Sequence, residues 1–227
     1  MQRFVKEFLL VLPVLLFSVV AHEYAHAWTA YRQGDPTAYA LGRLTLNPVP
    51  HIDPFMSVLV PIGLWLLSNG AFTFGAAKPV PVEPRNFRRY RLGDIVVSSA
   101  GVVMNLLIAV LCAAVFVALG AAAPHAGMML DVFGTLQGMA QIGIALNVLL
   151  AFFNLMPIPP LDGSHLLYHA LPAKWGERYR QFGRYGFMVL MLMFMVPRLW
   201  QVLLWPVSAV TELAQSALVP FTLATVP

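Results

Sequence analysis

The sequence predicts an all-α integral membrane protein. About four full transmembrane helices are expected, with a short or re-entrant apolar segment and a small membrane-associated strand or hairpin near a candidate metal site. Three observations carry this. Apolar residues make up 59% of the 227 residues and charged residues 11%, with a mean hydropathy of +0.73, so a soluble domain would lack polar cover for its surface. The apolar residues gather in runs long enough to cross a bilayer, which takes about 20 helical residues. The charges gather in the short loops between those runs. One domain is expected over 1–227, with its core over about 14–167.

The first span is expected over 4–31, ended by the turn residues Gly34-Asp35-Pro36. Residues 37–47 alternate loosely, through Tyr39, Leu41, Arg43, Leu44 and Leu46. That reads as a short strand or hairpin, with an ordinary loop as the alternative. A Pro-rich connector leads to the apolar stretch 55–76, which is short and broken at Ser68-Asn69-Gly70, so it is expected to re-enter or to span only briefly. Residues 78–94 form the most polar loop, too short to hold an inserted folded domain. Spans follow over 95–121, 132–156 and 185–205. Pro157, Pro159 and Pro160 stop the third of the four, because proline has no N–H to donate. The tail 206–227 is expected to lie on the membrane or to pack against the bundle. Cys112 is a lone cysteine in an apolar run, expected as a packed thiol.

Lys and Arg gather at Arg32 and Arg43, at 78–91 and at 174–184. The positive-inside rule makes all three loops cytoplasmic. The N-terminus is then outside, and 55–76 must enter and leave on one side. No basic stripe with interleaved aromatics points to nucleic acid.

The chemistry lies in two stretches. His22-Glu23-Tyr24-Ala25-His26 is an H-E-x-x-H sequence closing the first apolar run. Residues four apart share a helix face, so both imidazoles can meet one metal ion, with Glu23 beside it as a base. Two-histidine sites recruit a carboxylate and leave the fourth position to water. Asp162 is the candidate third ligand. Ionisable groups are costly inside a bilayer, and two histidines with a glutamate in one span call for a function. The alternative is a pair of interfacial histidines bonded to backbone or lipid. His51, His125, His165 and His169 are not expected to be ligands; His165 suits a helix start or a place behind the metal residues.

Asn154-Leu155-Met156-Pro157, followed by Asp162-Gly163, matches N-x-x-P-x-x-x-x-D-G. With H-E-x-x-H before it, the chain resembles the site-2 protease family of intramembrane zinc metalloproteases, in a compact form without a PDZ domain. Gly101, followed four residues later by Asn105, matches a third family feature. The resemblance implies one zinc per chain on His22, His26 and Asp162, with Glu23 as the base. It makes Asn154, and with it Asn105, a candidate for steadying the substrate carbonyl or oxyanion. Residues 37–47 would resemble the family's membrane-embedded sheet, whose edge receives substrate. The implied activity is hydrolysis of peptide bonds within or near transmembrane segments of membrane proteins. The implied setting is a bacterial inner membrane, with the site toward the cytoplasm.

Two other classes compete. A membrane metal transporter would need further ionisable groups along a path, and 95–121 and 132–156 hold no acid inside. A non-catalytic scaffold on a structural metal would have no need of Glu23.

Overall fold

The computed structural model describes residues 2–67 and 77–223. Nine helices are found among them: α1 (Gln2–Gln33), α2 (Thr37–Ala40), α3 (Val60–Leu67), α4 (Tyr90–Ala122), α5 (Leu130–Leu155), α6 (Gly163–Ala170), α7 (Ala173–Phe182), α8 (Gly186–Met195) and α9 (Pro197–Leu218). Among the described residues, four stretches are long and apolar enough to cross a membrane: Leu9–Gln33, Tyr90–His125, Gly127–Leu155 and Gln201–Phe221.

Helices α1, α4 and α5 pack together as the central bundle, and α9 lies against α5 and α4. One apolar cluster joins Phe116, Ile144 and Val148 to Val207 and Leu218 of α9. Polar side chains are also buried in the bundle: Ser18, Asn105 and Asn147 are fully buried. In an apolar surround such groups must satisfy one another, and they do so beside the metal residues.

One expectation is corrected, and one element is not seen. The last long helix does not run over 185–205. The chain breaks at Val196, which is extended (φ −109°, ψ 92°), because the residue before Pro197 is driven out of the helical region. The ten residues of α8 reach only about 15 Å at 1.5 Å per residue, so α9 is the long element, and most of the expected tail belongs to it. The strand or hairpin over 37–47 is not seen either, and no strand is found among the described residues. Asp35 Oδ1 accepts from the Thr37 N–H (3.1 Å) and its hydroxyl (2.5 Å), which starts a helical turn rather than an extended run. Gly42 ends that turn at φ +65°, with the Arg43 N–H returning to Ala38 O at 2.8 Å.

The apolar stretch after the Pro-rich connector is helical over Pro54–Leu59 and through α3. Those 14 residues span about 21 Å, less than the roughly 30 Å of a hydrocarbon core. The rest of the expected 55–76 segment, including the break at 68–70, lies outside the described residues.

Candidate metal centre

His22 and His26 are one turn apart on α1, both buried, and face α4. Their Nε2 atoms are 3.0 Å apart. Asp162 Oδ2 lies 3.3 Å from each of them. The carboxylate comes from a later part of the chain, after α5. Helix α5 stops at Leu155, Met156 is extended, and the prolines that follow turn the chain so that Asp162 precedes α6. Gly163 makes this turn possible: a Cβ there would run into the Leu155 and Met156 carbonyls. Gly101 of α4 does the same for the histidines, since a Cβ there would fall on both imidazole rings.

The hydrogen bonds behind the rings decide what the rings can do. His26 Nδ1 is 2.7 Å from Val97 O. A carbonyl only accepts, so Nδ1 carries a proton, and in the neutral ring the lone pair is on Nε2. For His22 the same result arrives through a relay. The Ser18 hydroxyl donates to Val14 O (2.7 Å), so its oxygen accepts from Asn147 Nδ2 (2.8 Å), which also donates to Gly143 O. Asn147 Oδ1 then accepts from Asn105 Nδ2 (2.9 Å). Asn105 Oδ1 is left to accept from His22 Nδ1 at 2.6 Å.

Both Nε2 lone pairs thus point at each other and at Asp162 Oδ2, a buried oxygen with no hydrogen-bond partner. Three acceptors around one point repel unless a cation sits among them. The two separations of 3.3 Å match the edge of a tetrahedron with bonds of about 2.0–2.1 Å, the zinc–nitrogen and zinc–oxygen range, and the 3.0 Å between the Nε2 atoms is slightly shorter than that edge. Among the described residues, this is the one His/Cys/Asp/Glu group so gathered. The residues fit zinc.

Glu23, next in sequence to His22, accepts the Val80 N–H on Oε2 at 2.7 Å. Asn105 touches His22 and Asn147 rather than open space. Asn154 is not brought to the cluster in the same way: its amide donates to Leu150 O within α5 (3.0 Å). Sequence reading missed three things here. The relay could have been sought in Ser18 and Asn147, polar residues inside apolar runs. The contact of Val80 with Glu23 is made by backbone and leaves no residue signature. The third is a second cluster, in which Asp94 Oδ2 meets His169 Nε2 at 2.7 Å and Asp94 Oδ1 meets His165 Nδ1 at 3.2 Å.

The family model of peptidase family M50 matches residues 131–197, which include Asn154 to Gly163. The chain is 38% identical over 211 residues to a Bacillus subtilis protein named "Putative zinc metalloprotease YwhC", covering 91% of this chain and 90% of that one. It is 32% identical over 196 residues to "Putative zinc metalloprotease Rip2" of Mycolicibacterium smegmatis, covering 86% and 70%. A Mycobacterium tuberculosis protein of the same name is 30% identical over 196 residues, covering 85% and 69%. No solved structure matches the chain. With four apolar membrane-length helices, an H-E-x-x-H helix meeting a distant aspartate and relatives matched over most of their length, the chain belongs to peptidase family M50, the site-2 protease family of zinc metalloproteases.

Proposed function

We propose that this protein hydrolyses peptide bonds within or near transmembrane segments of other membrane proteins, using one zinc held by His22, His26 and Asp162. The observation that supports it most is the convergence of three lone-pair atoms inside an apolar bundle, with the Glu23 carboxylate on the adjoining residue. Zinc held by these three residues would supply polarisation of a scissile carbonyl and a water whose pKa falls from 15.7 toward about 7. Glu23 takes the proton of the attacking water and returns it to the leaving amine. Asn105 keeps the His22 imidazole in the tautomer whose Nε2 can ligate. Asn154, near the end of α5, is the candidate for steadying the substrate carbonyl, with the amide hydrogen that Leu150 O does not take.

A peptide bond inside a helix is shielded by its own hydrogen bonds, so the substrate must unwind before it is cut. The inner membrane of a bacterium, with the site toward the cytoplasm, suits the charges. The Arg88 N–H meets Gln33 O (2.8 Å) and Arg91 meets His169 O (2.7 Å). The basic loops therefore collect at the end of the bundle where α1 finishes and α4 begins.

Glu23→Gln keeps size and polarity but loses the base. It should keep one zinc per chain and lose about 10²–10⁴-fold in hydrolysis of a panel of single-span peptides in detergent. Wild-type activity in that variant would remove Glu23 from the reaction.

A further inference from the structure

We propose that residues 77–83 form a strap that sets the catalytic carboxylate, with Val80 and Arg43 as positioning residues. This rests on the reading of Glu23 as the base. The strap reads Ala77-Lys78-Pro79-Val80-Pro81-Val82-Glu83. Its alternation forces an extended path, because Lys78 and Val80 each precede a proline and are driven out of the helical region. Pro79 and Pro81 have no N–H to offer. The N–H of Val80 lies between them, and it is the one that meets Glu23 Oε2 at 2.7 Å.

The rest of the strap is fastened so that this contact is made. The Lys78 N–H donates to His51 O at 2.9 Å. Arg43 is buried, and its Nη2 donates to Lys78 O at 2.8 Å and to Pro79 O at 3.3 Å. At the other end the Glu83 N–H donates to Asp35 Oδ2 at 2.8 Å, and Asn86 Nδ2 donates to Asp35 Oδ1 at 2.8 Å. The Val80 side chain packs in a cluster with Ala27 and Ala38. The strap is thus tied on both sides of the one donor that faces the base.

A glutamate has several rotatable bonds, and a base works only from the correct place. A charge-assisted hydrogen bond to one carboxylate oxygen removes that freedom while leaving the other oxygen for the proton. The segment around Arg43 has no part as a strand in this arrangement. It supplies the guanidinium that anchors the strap.

The test is Val80→Pro, which deletes the N–H and keeps an apolar group where the chain is already extended. It is assayed on a single-span peptide in the zinc-loaded protein, beside Val82→Pro and Glu23→Gln. The expected result for Val80→Pro is a kcat lower by about 10- to 100-fold, the scale of a hydrogen bond to a charged group, with KM and zinc content within about twofold of wild type. Arg43→Ala should lose kcat in the same way and regain it with added ethylguanidinium, which a merely misfolded variant would not. An unchanged or higher kcat in Val80→Pro overturns the proposal, a higher one because the strap would then be a plug. So does an equal loss in Val82→Pro, or a loss of zinc in Val80→Pro. If Val80→Pro does not fold, failure of ethylguanidinium to rescue Arg43→Ala overturns it. Full activity in Glu23→Gln would instead remove the reading of Glu23 on which the strap depends.

Discussion

Two clusters in this protein are built from the same parts. In each, two histidines four apart on one helix face a carboxylate from another element: His22 and His26 of α1 with Asp162, His165 and His169 of α6 with Asp94. In the first, Nε2 of both rings and one oxygen crowd together at 3.0–3.3 Å. In the second, His169 Nε2 meets Asp94 Oδ2 at 2.7 Å, and His165 Nδ1 lies 3.2 Å from both Asp94 oxygens. In the first cluster the far side of the rings sets their roles. Val97 O and Asn105 Oδ1 take the Nδ1 protons of His26 and His22, so in the neutral rings both lone pairs face the carboxylate, an arrangement that suits a cation. In the second cluster the ring nitrogens donate to Asp94. That cluster is complete without a metal, and it ties α6, the helix that follows Asp162, to α4. Residue type and spacing do not distinguish a metal site from a structural lock. Proton direction does.

The largest effect that sharpens the comparison is on zinc. Asp162→Asn should leave the purified protein essentially without zinc and inactive, since a three-residue site loses its only anion. Asp94→Asn should keep one zinc per chain and be destabilised by about 1–3 kcal/mol, the cost of disturbing a buried hydrogen-bonded group. Metal analysis and thermal unfolding of both proteins decide the matter, and equal zinc loss in the two would erase the distinction. Gly101→Ala comes next. Its Cβ would displace both imidazoles, and displacement on the scale of 1 Å is expected to cost about 10²-fold in activity. Wild-type zinc content and turnover in that variant would mean that the rings are not held where they are found.

Much of this arrangement was legible in the sequence, and what was not has a physical cause. The spans at α1, α4 and α5 follow from apolar runs that only a bilayer explains. His22, His26 and Asp162 meet because one motif ends a span and the other follows one. The break at Val196 was carried by Pro197 and was outweighed by the unbroken hydropathy around it. The helical turn at 37–40 depends on Asp35 accepting from Thr37, a local hydrogen bond that alternation of apolar residues does not reveal. The lock at Asp94 was hidden because its acid sits in the first turns of α4 and its histidines lie 71 and 75 residues later. No spacing rule joins positions so far apart.

The smallest effect tests the lock through pH. The hydrogen bond to Asp94 raises His165 above the usual histidine range, against the opposing effect of burial. A histidine whose folded value is raised stabilises the fold fully below its unfolded value of about 6.5. That contribution is lost as pH rises through the folded value, because the unfolded chain gives up the proton first. The side chain of His165 is 48% exposed, so solvent screens the pair and the contribution should stay below about 1 kcal/mol. His165→Gln can still bond to Asp94 but cannot titrate. The gap in unfolding midpoint between wild type and His165→Gln, both zinc-free in detergent, should therefore be widest near pH 6 and narrow toward pH 8.5. A gap that widens with rising pH would reverse the sign, and Asp94 would then hold His165 as a neutral ring.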